Sequence, residues 1–201
     1  MNQPNWKAAV EEAMRHKAAK QANFSYRWEH VRAVVTVAHK LAVLTGADTD
    51  VVEAAAWLHD IRKEAKERHP QEGAKFARQF LPTTDFPAEK IEAVATAIEE
   101  HMGLWRDEPL TVLESQVLWD ADKLTKIGIT AAAHWMGGDF TRGRIESTEK
   151  LIERLQSADW RAKTVASMHT TPAKRAARSR FAAYDAMLAQ LSAEWHALDI
   201  N

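Results

Sequence analysis

Ala54-Ala-Ala-Trp-Leu-His-Asp-Ile-Arg-Lys63 is a run of small and apolar residues that ends on adjacent His59 and Asp60 and two cations. Val51, Ala55 and Leu58 recur at helical spacing and form an inner face that leads directly to His59. Imidazole favours transition-metal ions, and a carboxylate adds charge and a possible bridge. A His-Asp pair at the inner end of an apolar helix can therefore hold a catalytic ion. Two donors do not make a site, so further inward His and Asp must come from elsewhere in the chain.

Upstream, His30, Val34, Val37, Leu41 and Leu44 repeat at three and four residues within a helix expected from Phe24 to Leu44. His30 thus lies on the buried stripe and His39 off it. Gly46 closes this helix and Asp48 caps the next. Downstream, Pro70 suits a first helical position, which puts His69 at the mouth of a helix running to about Leu81. A loop with two prolines, Leu81 to Pro87, precedes a helix from about Ala88 to Met102 that carries Val94, Ala97, Ile98 and His101 on one face. Beyond Gly103 and the Arg106–Pro109 turn, a further helix stacks Leu118 and Asp122 one turn apart. Asp120 and Asp122 compete for the inward position, because residues two apart on a helix point to nearly opposite sides.

The outer segments are also helical in pattern. Trp6, Val10, Ala13 and Met14 give a modest stripe from Pro4 to about Lys20, read as an outer arm. Gly137-Gly138 and Gly143 are expected to bracket a turn, followed by an amphipathic segment from Ile145 to about Leu155. From about Pro172 to Trp195, the residues Ala177, Phe181, Tyr184, Leu188, Leu191 and Trp195 form a stripe opposite Lys174, Arg175, Arg178 and Arg180. No run alternates with period two, so the fold class is all-α. The expected organisation is one domain over 1–201, with its core at about 24–128 and C-terminal helices 145–197 packed on it.

A chain of 201 residues with 46% hydrophobic and 27% charged residues can bury a full core without staples. Its net charge of −1 leaves no electrostatic footprint for duplex nucleic acid or an anionic membrane. There is no cysteine, so any metal must be held by His, Asp or Glu. The first residues lack a signal-peptide pattern and no stretch approaches membrane-spanning length, which makes a cytoplasmic location the expectation.

His30, then His59-Asp60, then Asp122, in this order, resembles the HD-domain superfamily of metal-dependent phosphohydrolases. Glu29-His-Val-Arg-Ala-Val34 is similar to that family's first motif, and Trp119-Asp-Ala-Asp-Lys-Leu-Thr-Lys-Ile-Gly128 to its last. The resemblance covers Tyr26 to Gly128, and Thr170 to Glu194 is also similar to the closing helix of small bacterial HD proteins. His69-Pro-Gln-Glu-Gly-Ala74 and Ala97-Ile-Glu-Glu-His101 resemble the two additional histidines of dinuclear HD branches. A Gly-Tyr-Pro motif after His101 is missing and the interval from Asp60 to His69 is short, which argues against the cyclic-dinucleotide phosphodiesterase branch.

The resemblance implies an HD helical bundle in which His30, His59, Asp60 and Asp122 hold one ion, while His69 and His101 hold a second with Asp60 bridging. It favours Asp122, which matches the family's final Asp, and leaves Asp120 as a hydrogen-bond partner or helix cap. Asp60 and Lys63 are then the catalytic candidates, with Lys63 neutralising the phosphate of a small, nucleotide-like substrate. The cofactor expected is one or two divalent ions, Mn, Fe, Co, Ni or Zn in preference to Mg, since the set is rich in imidazole. His69 has two further readings, a phosphate contact or a surface residue. Two other functions share the pattern: a di-iron HD oxygenase and a nucleotide-binding sensor without turnover. His16, His39, His134, His169 and His196 are expected to be surface or ordinary polar residues, and Trp57 and Trp119 to be walls near the site.

Overall fold

The computed structural model describes residues 3–18, 25–141, 143–144, 146–156 and 160–200. Ten α-helices and three short 3-10 segments account for its regular structure among these residues, as the sequence periodicity requires. Helix α1 (Trp6–Ala18) buries Trp6, Val10, Met14 and Ala18, one residue per turn. The segment read as an arm is pinned down. Trp6 N–H donates to the Asp85 carboxylate at 2.6 Å, Asp85 N–H donates to the Pro4 carbonyl at 3.0 Å, and the Trp6 ring meets Phe86 edge-on.

Helix α2 (Tyr26–Thr45) is capped by the Ser25 hydroxyl and closed by Gly46 in the left-handed conformation at φ 77°. Phe24, the expected start, lies outside the described residues, as do Lys20 and Ile145. The buried face is His30, Val31, Val34, Ala38, Leu41 and Ala42. Val37 is only half-buried and Leu44 is 52% exposed, so the expected stripe is right at His30 and drifts off towards the C-terminus. Ala38 and Ala42 complete the buried face in their stead, and α2 packs along the neighbouring α3 (Thr49–Leu58). Helix α3, capped by Asp48, is buried on every side from Ala54 to Leu58, as an all-round apolar helix must be.

A 3-10 segment, Lys63–Arg68, leads into α4 (His69–Phe80), and two more at Leu81–Thr83 and Ala88–Lys90 lead into α5 (Ile91–Glu100). Next come α6 (Leu113–Leu124), α7 (Ile129–Thr141), α8 (Thr148–Gln156), α9 (Trp160–Ser167) and α10 (Thr171–Trp195). Helices α2, α5 and α6 surround α3, α4 packs on α5, and α10 lies on α6 and α2. Residues such as Val34, Leu58, Ile98 and Leu118 are fully buried between them. Each contributes roughly 1.5–3 kcal/mol relative to exposure. Gly73 sets the fit of α4: a Cβ there would stand 3.1 Å from Ile98 Cγ2 and 3.6 Å from the carbonyls of Leu58 and His59. His69 is thereby carried close to the ends of α3 and α5.

Gly137-Gly138 do not make a turn. They lie inside α7, without positive φ, and the left-handed glycine is Gly143 at φ 62°. Glycine costs a helix interior about 1 kcal/mol relative to alanine, a penalty that tertiary context routinely overrides. Helix α9 had no counterpart in the sequence reading. Along α10, Ala177, Phe181, Tyr184 and Leu188 are buried as expected, whereas Trp195 is 48% exposed and donates to Glu149. Among the described residues no helix is long and apolar enough to cross a membrane.

Candidate metal centre

Five helix termini or faces bring the six ligand candidates into one interior space. His59 is the C-cap of α3, His101 the C-cap of α5, His69 the first residue of α4, and His30 and Asp122 face inward from α2 and α6. Asp60 follows His59 in the turn. All six are buried, at 7% exposure or less. Such residues are seldom buried without partners.

The imidazoles share one arrangement. His59 Nδ1 lies 2.7 Å from the Ala56 carbonyl, His101 Nδ1 lies 2.5 Å from the Ile98 carbonyl, and His69 Nδ1 is bonded to the Lys66 carbonyl. A carbonyl only accepts, so each Nδ1 carries the proton and each Nε2 keeps its lone pair. His30 follows the same logic through Thr125: the Thr125 hydroxyl donates to the Asp122 carbonyl at 2.8 Å, and its oxygen, 3.3 Å from His30 Nδ1, is left to accept. Backbone and hydroxyl partners of this kind fix the tautomer and aim Nε2 at a metal.

The lone pairs converge on the carboxylates and on one another. His30 Nε2 stands 3.2 Å from Asp122 Oδ1, and the Nε2 atoms of His69, His101 and His59 stand 3.5, 3.7 and 3.9 Å from Asp60 Oδ1. His69 Nε2 and His101 Nε2 are 3.1 Å apart, lone pair towards lone pair. His59 Nε2 is buried with no hydrogen-bond partner among the described residues, an omission that costs about 1–3 kcal/mol. Facing acceptors and an orphaned nitrogen are what a cation between them would satisfy. Two triads have ligand atoms within 4.8 Å of one another, His30–His59–Asp122 and Asp60–His69–His101. The donor set therefore fits divalent metal.

Three ammonium groups line the same carboxylates. Lys63 Nζ lies 2.9 Å from Asp60 Oδ1 and 3.1 Å from His69 Nε2. Lys126 Nζ lies 2.8 Å from Asp122. Lys123 is buried, bonded to Asp122 Oδ2 and, at 2.9 Å, to the His101 carbonyl, with its ammonium 4.1 Å above the Trp119 ring. Burial works to raise the Asp60 and Asp122 carboxyls. The ammonium groups around them prevail, Lys63 for Asp60 and the lysines 123 and 126 for Asp122, and hold both well below the carboxylate range. Burial pulls His59 down to about 3 and also lowers His69, so these imidazoles are neutral donors at pH 7. Burial brings Lys123 down to about 8 against the pull of Asp122. For Lys126 the Asp122 charge outweighs burial and raises it.

Asp120, fully buried, turns away from the centre. It accepts from the backbone N–H groups of His169 and Thr170, both at 2.8 Å, and from the Thr170 hydroxyl at 2.7 Å, which clamps the start of α10 to α6. Of the expected bystanders, two histidines have more defined places. The His169 side chain is largely buried and its Nε2 accepts from Leu110 N–H at 2.9 Å, while His134 lies edge-on to Tyr26, whose ring stacks on His30. Arg62 stacks on Phe76, and Trp119 lies beneath Lys123 as a wall of the site. Sequence reasoning gave no role to Lys123 or Lys126. The second carries a signal, since Asp122 and Lys126 are four apart on one helix face.

Comparison with known proteins agrees with this geometry. No curated protein matches the sequence. Among solved structures, a predicted HD superfamily hydrolase from an uncultured Thermotogales bacterium is 23% identical, with 92% of this chain and 91% of that one covered and a TM-score of 0.69. YpgQ of Bacillus subtilis is 20% identical, with 94% and 95% covered and a TM-score of 0.70. The same protein in complex with ADP matches at 20% identity and a TM-score of 0.68, with 92% and 97% covered. The HD domain family model matches residues 27–127, half the chain, and spans all six buried ligand candidates: the chain belongs to the HD domain family.

Proposed function

We propose that this chain is a metal-dependent phosphohydrolase that cleaves a phosphate ester or anhydride bond of a small, nucleotide-like substrate. The observation that carries the reading is the convergence of four Nε2 lone pairs on two buried, ionised carboxylates. His30, His59 and Asp122 would hold one ion, His69 and His101 a second, and Asp60 would stand between them. An ion held there supplies charge for a phosphoryl oxygen and acidity for a water molecule, so no protein nucleophile is needed. The Nε2 atoms of His59, His69 and His101 all face one oxygen of Asp60. Lys63, paired with Asp60 and with its side chain 36% exposed, would meet the substrate's phosphate. The ADP complex of a protein with the same fold supports a nucleotide as ligand class.

The test is to strip the protein with chelator, reload it separately with Mn, Fe, Co, Ni, Zn and Mg, and measure bound metal and phosphate release from nucleotide mono-, di- and triphosphates. His59→Ala and Asp60→Ala are expected to lose metal and turnover while retaining helical circular dichroism. Full metal stoichiometry in both variants would reject the site. Oxygen consumption by the iron form without phosphate release would replace hydrolysis by oxygenase chemistry, and nucleotide binding without turnover would make the protein a sensor.

A further inference from the structure

Asp122 is claimed by more partners than it can serve once an ion is present. Lys123 approaches one oxygen from behind. It is 3% exposed, seated on the Trp119 ring and bonded to the His101 carbonyl, so it has nowhere else to go. Lys126, one turn further along, also reaches Asp122, with its side chain 30% exposed and Tyr26 nearby. His30 Nε2, a bare acceptor, faces Asp122 Oδ1 at 3.2 Å. A cation bound between His30, His59 and Asp122 takes the lone pairs that point at this space, and of the two ammoniums only Lys126 has solvent to turn into. Lys63 stands in the same relation to Asp60, its ammonium filling the space between Asp60 and His69.

We propose that Lys126 is a substrate-positioning residue held in reserve: it neutralises Asp122 in the metal-free protein, is displaced when the ion binds, and then contacts a phosphoryl oxygen of the substrate. With Lys63 it would flank the reacting phosphate from the opposite side. The inference rests on the metal-site reading given above. It assigns to Lys126 two successive partners of opposite kind to its own charge, a carboxylate and then a phosphate, on one flexible stem that suits a point charge.

Two successive partners predict effects of opposite sign in one variant. Lys126→Met removes a competitor for Asp122 and is expected to tighten Mn(II) binding roughly tenfold in calorimetric titration, the equivalent of one partly buried charged contact. The same variant, saturated with Mn(II), should bind inorganic phosphate roughly tenfold more weakly. Lys126→Gln, checked in parallel by circular dichroism, should shift both affinities the same way. A merely structural lysine would weaken both or neither. Unchanged or weaker Mn(II) binding in the variants overturns the displacement, and unchanged phosphate affinity overturns the contact. If the unaltered protein takes up no metal, the functional reading fails and this inference with it; metal uptake without the opposed shifts refutes this inference alone.

Discussion

Replacing Asp120 by asparagine separates the clamp from the metal centre two residues away. The carboxylate accepts three bonds, two buried ones from Thr170 and a partly buried one from His169. An amide keeps one acceptor oxygen and turns an NH2 group towards donors. At about 1.5–3 kcal/mol for each lost bond to a charged acceptor, losing one or two costs on the order of 3 kcal/mol. For a chain of this length, each kcal/mol lowers Tm by about 2–4 °C, so Asp120→Asn should melt roughly 6–12 °C below the parent. The assay is thermal unfolding followed by circular dichroism in chelator, paired with metal stoichiometry measured well below the transition. Asp120→Asn is expected to melt early and keep its metal. Asp122→Asn should lose metal at any temperature, and it also strands the buried Lys123 ammonium. An unshifted Tm for Asp120→Asn, or metal loss equal to that of Asp122→Asn, would refute the division of labour along α6.

If His69 and His101 hold a second ion, His101→Ala should reduce bound metal from about two ions to about one and slow turnover; an anomalous map with one peak and full metal content in the variant would instead make His101 a substrate contact. The metal-free protein should lose stability as pH falls. His59 is held neutral down to about 3 in the fold, whereas the unfolded chain protonates it near 6.5. The unfolded state therefore binds the extra proton between these values, and stability should fall with a slope approaching 1.4 kcal/mol per pH unit. Below the ordinary Asp range, Asp60 and Asp122 add losses of the same sign, because both are held ionised in the fold. Urea midpoints that stay flat below pH 6.5 would contradict this. Lys66 adopts φ 53° and ψ −117°, a turn conformation that glycine prefers. Relief of about 1–3 kcal/mol of strain, less the 0.5–1 kcal/mol that glycine's freedom costs, predicts that Lys66→Gly raises Tm by a few degrees; a lower Tm would mean that no strain is held there.

What the sequence made legible was decided by short-range geometry. His30, His59 and Asp122 sit on apolar stripes that a helix must bury, and His69 beside Pro70 could only mark a helix mouth. The phase of α2 drifted because two of the buried positions towards its C-terminus, Ala38 and Ala42, are weak in hydropathy and leave little signal. Of the helices after Gly128, α8 and α10 were legible from their stripes, whereas α7 was hidden by its internal glycines and α9 by its shortness and its dependence on distant α10. Lys123 and His169 escaped for a different reason. Their partners, the carbonyl of His101 and the N–H of Leu110, are tertiary and carry no spacing signal along the chain.

Asp60 Oδ1 lies within 3.9 Å of histidine nitrogens from both triads. If both triads hold an ion, charge drawn from this oxygen at one position is charge withheld from the other, and occupancy on the two sides is thermodynamically linked. Whatever factor the first ion applies to the affinity of the second is returned in full by the second to the first. A titration with metal should then depart from a simple sum of two independent isotherms, and any change at Asp60 should alter the coupling as well as each affinity.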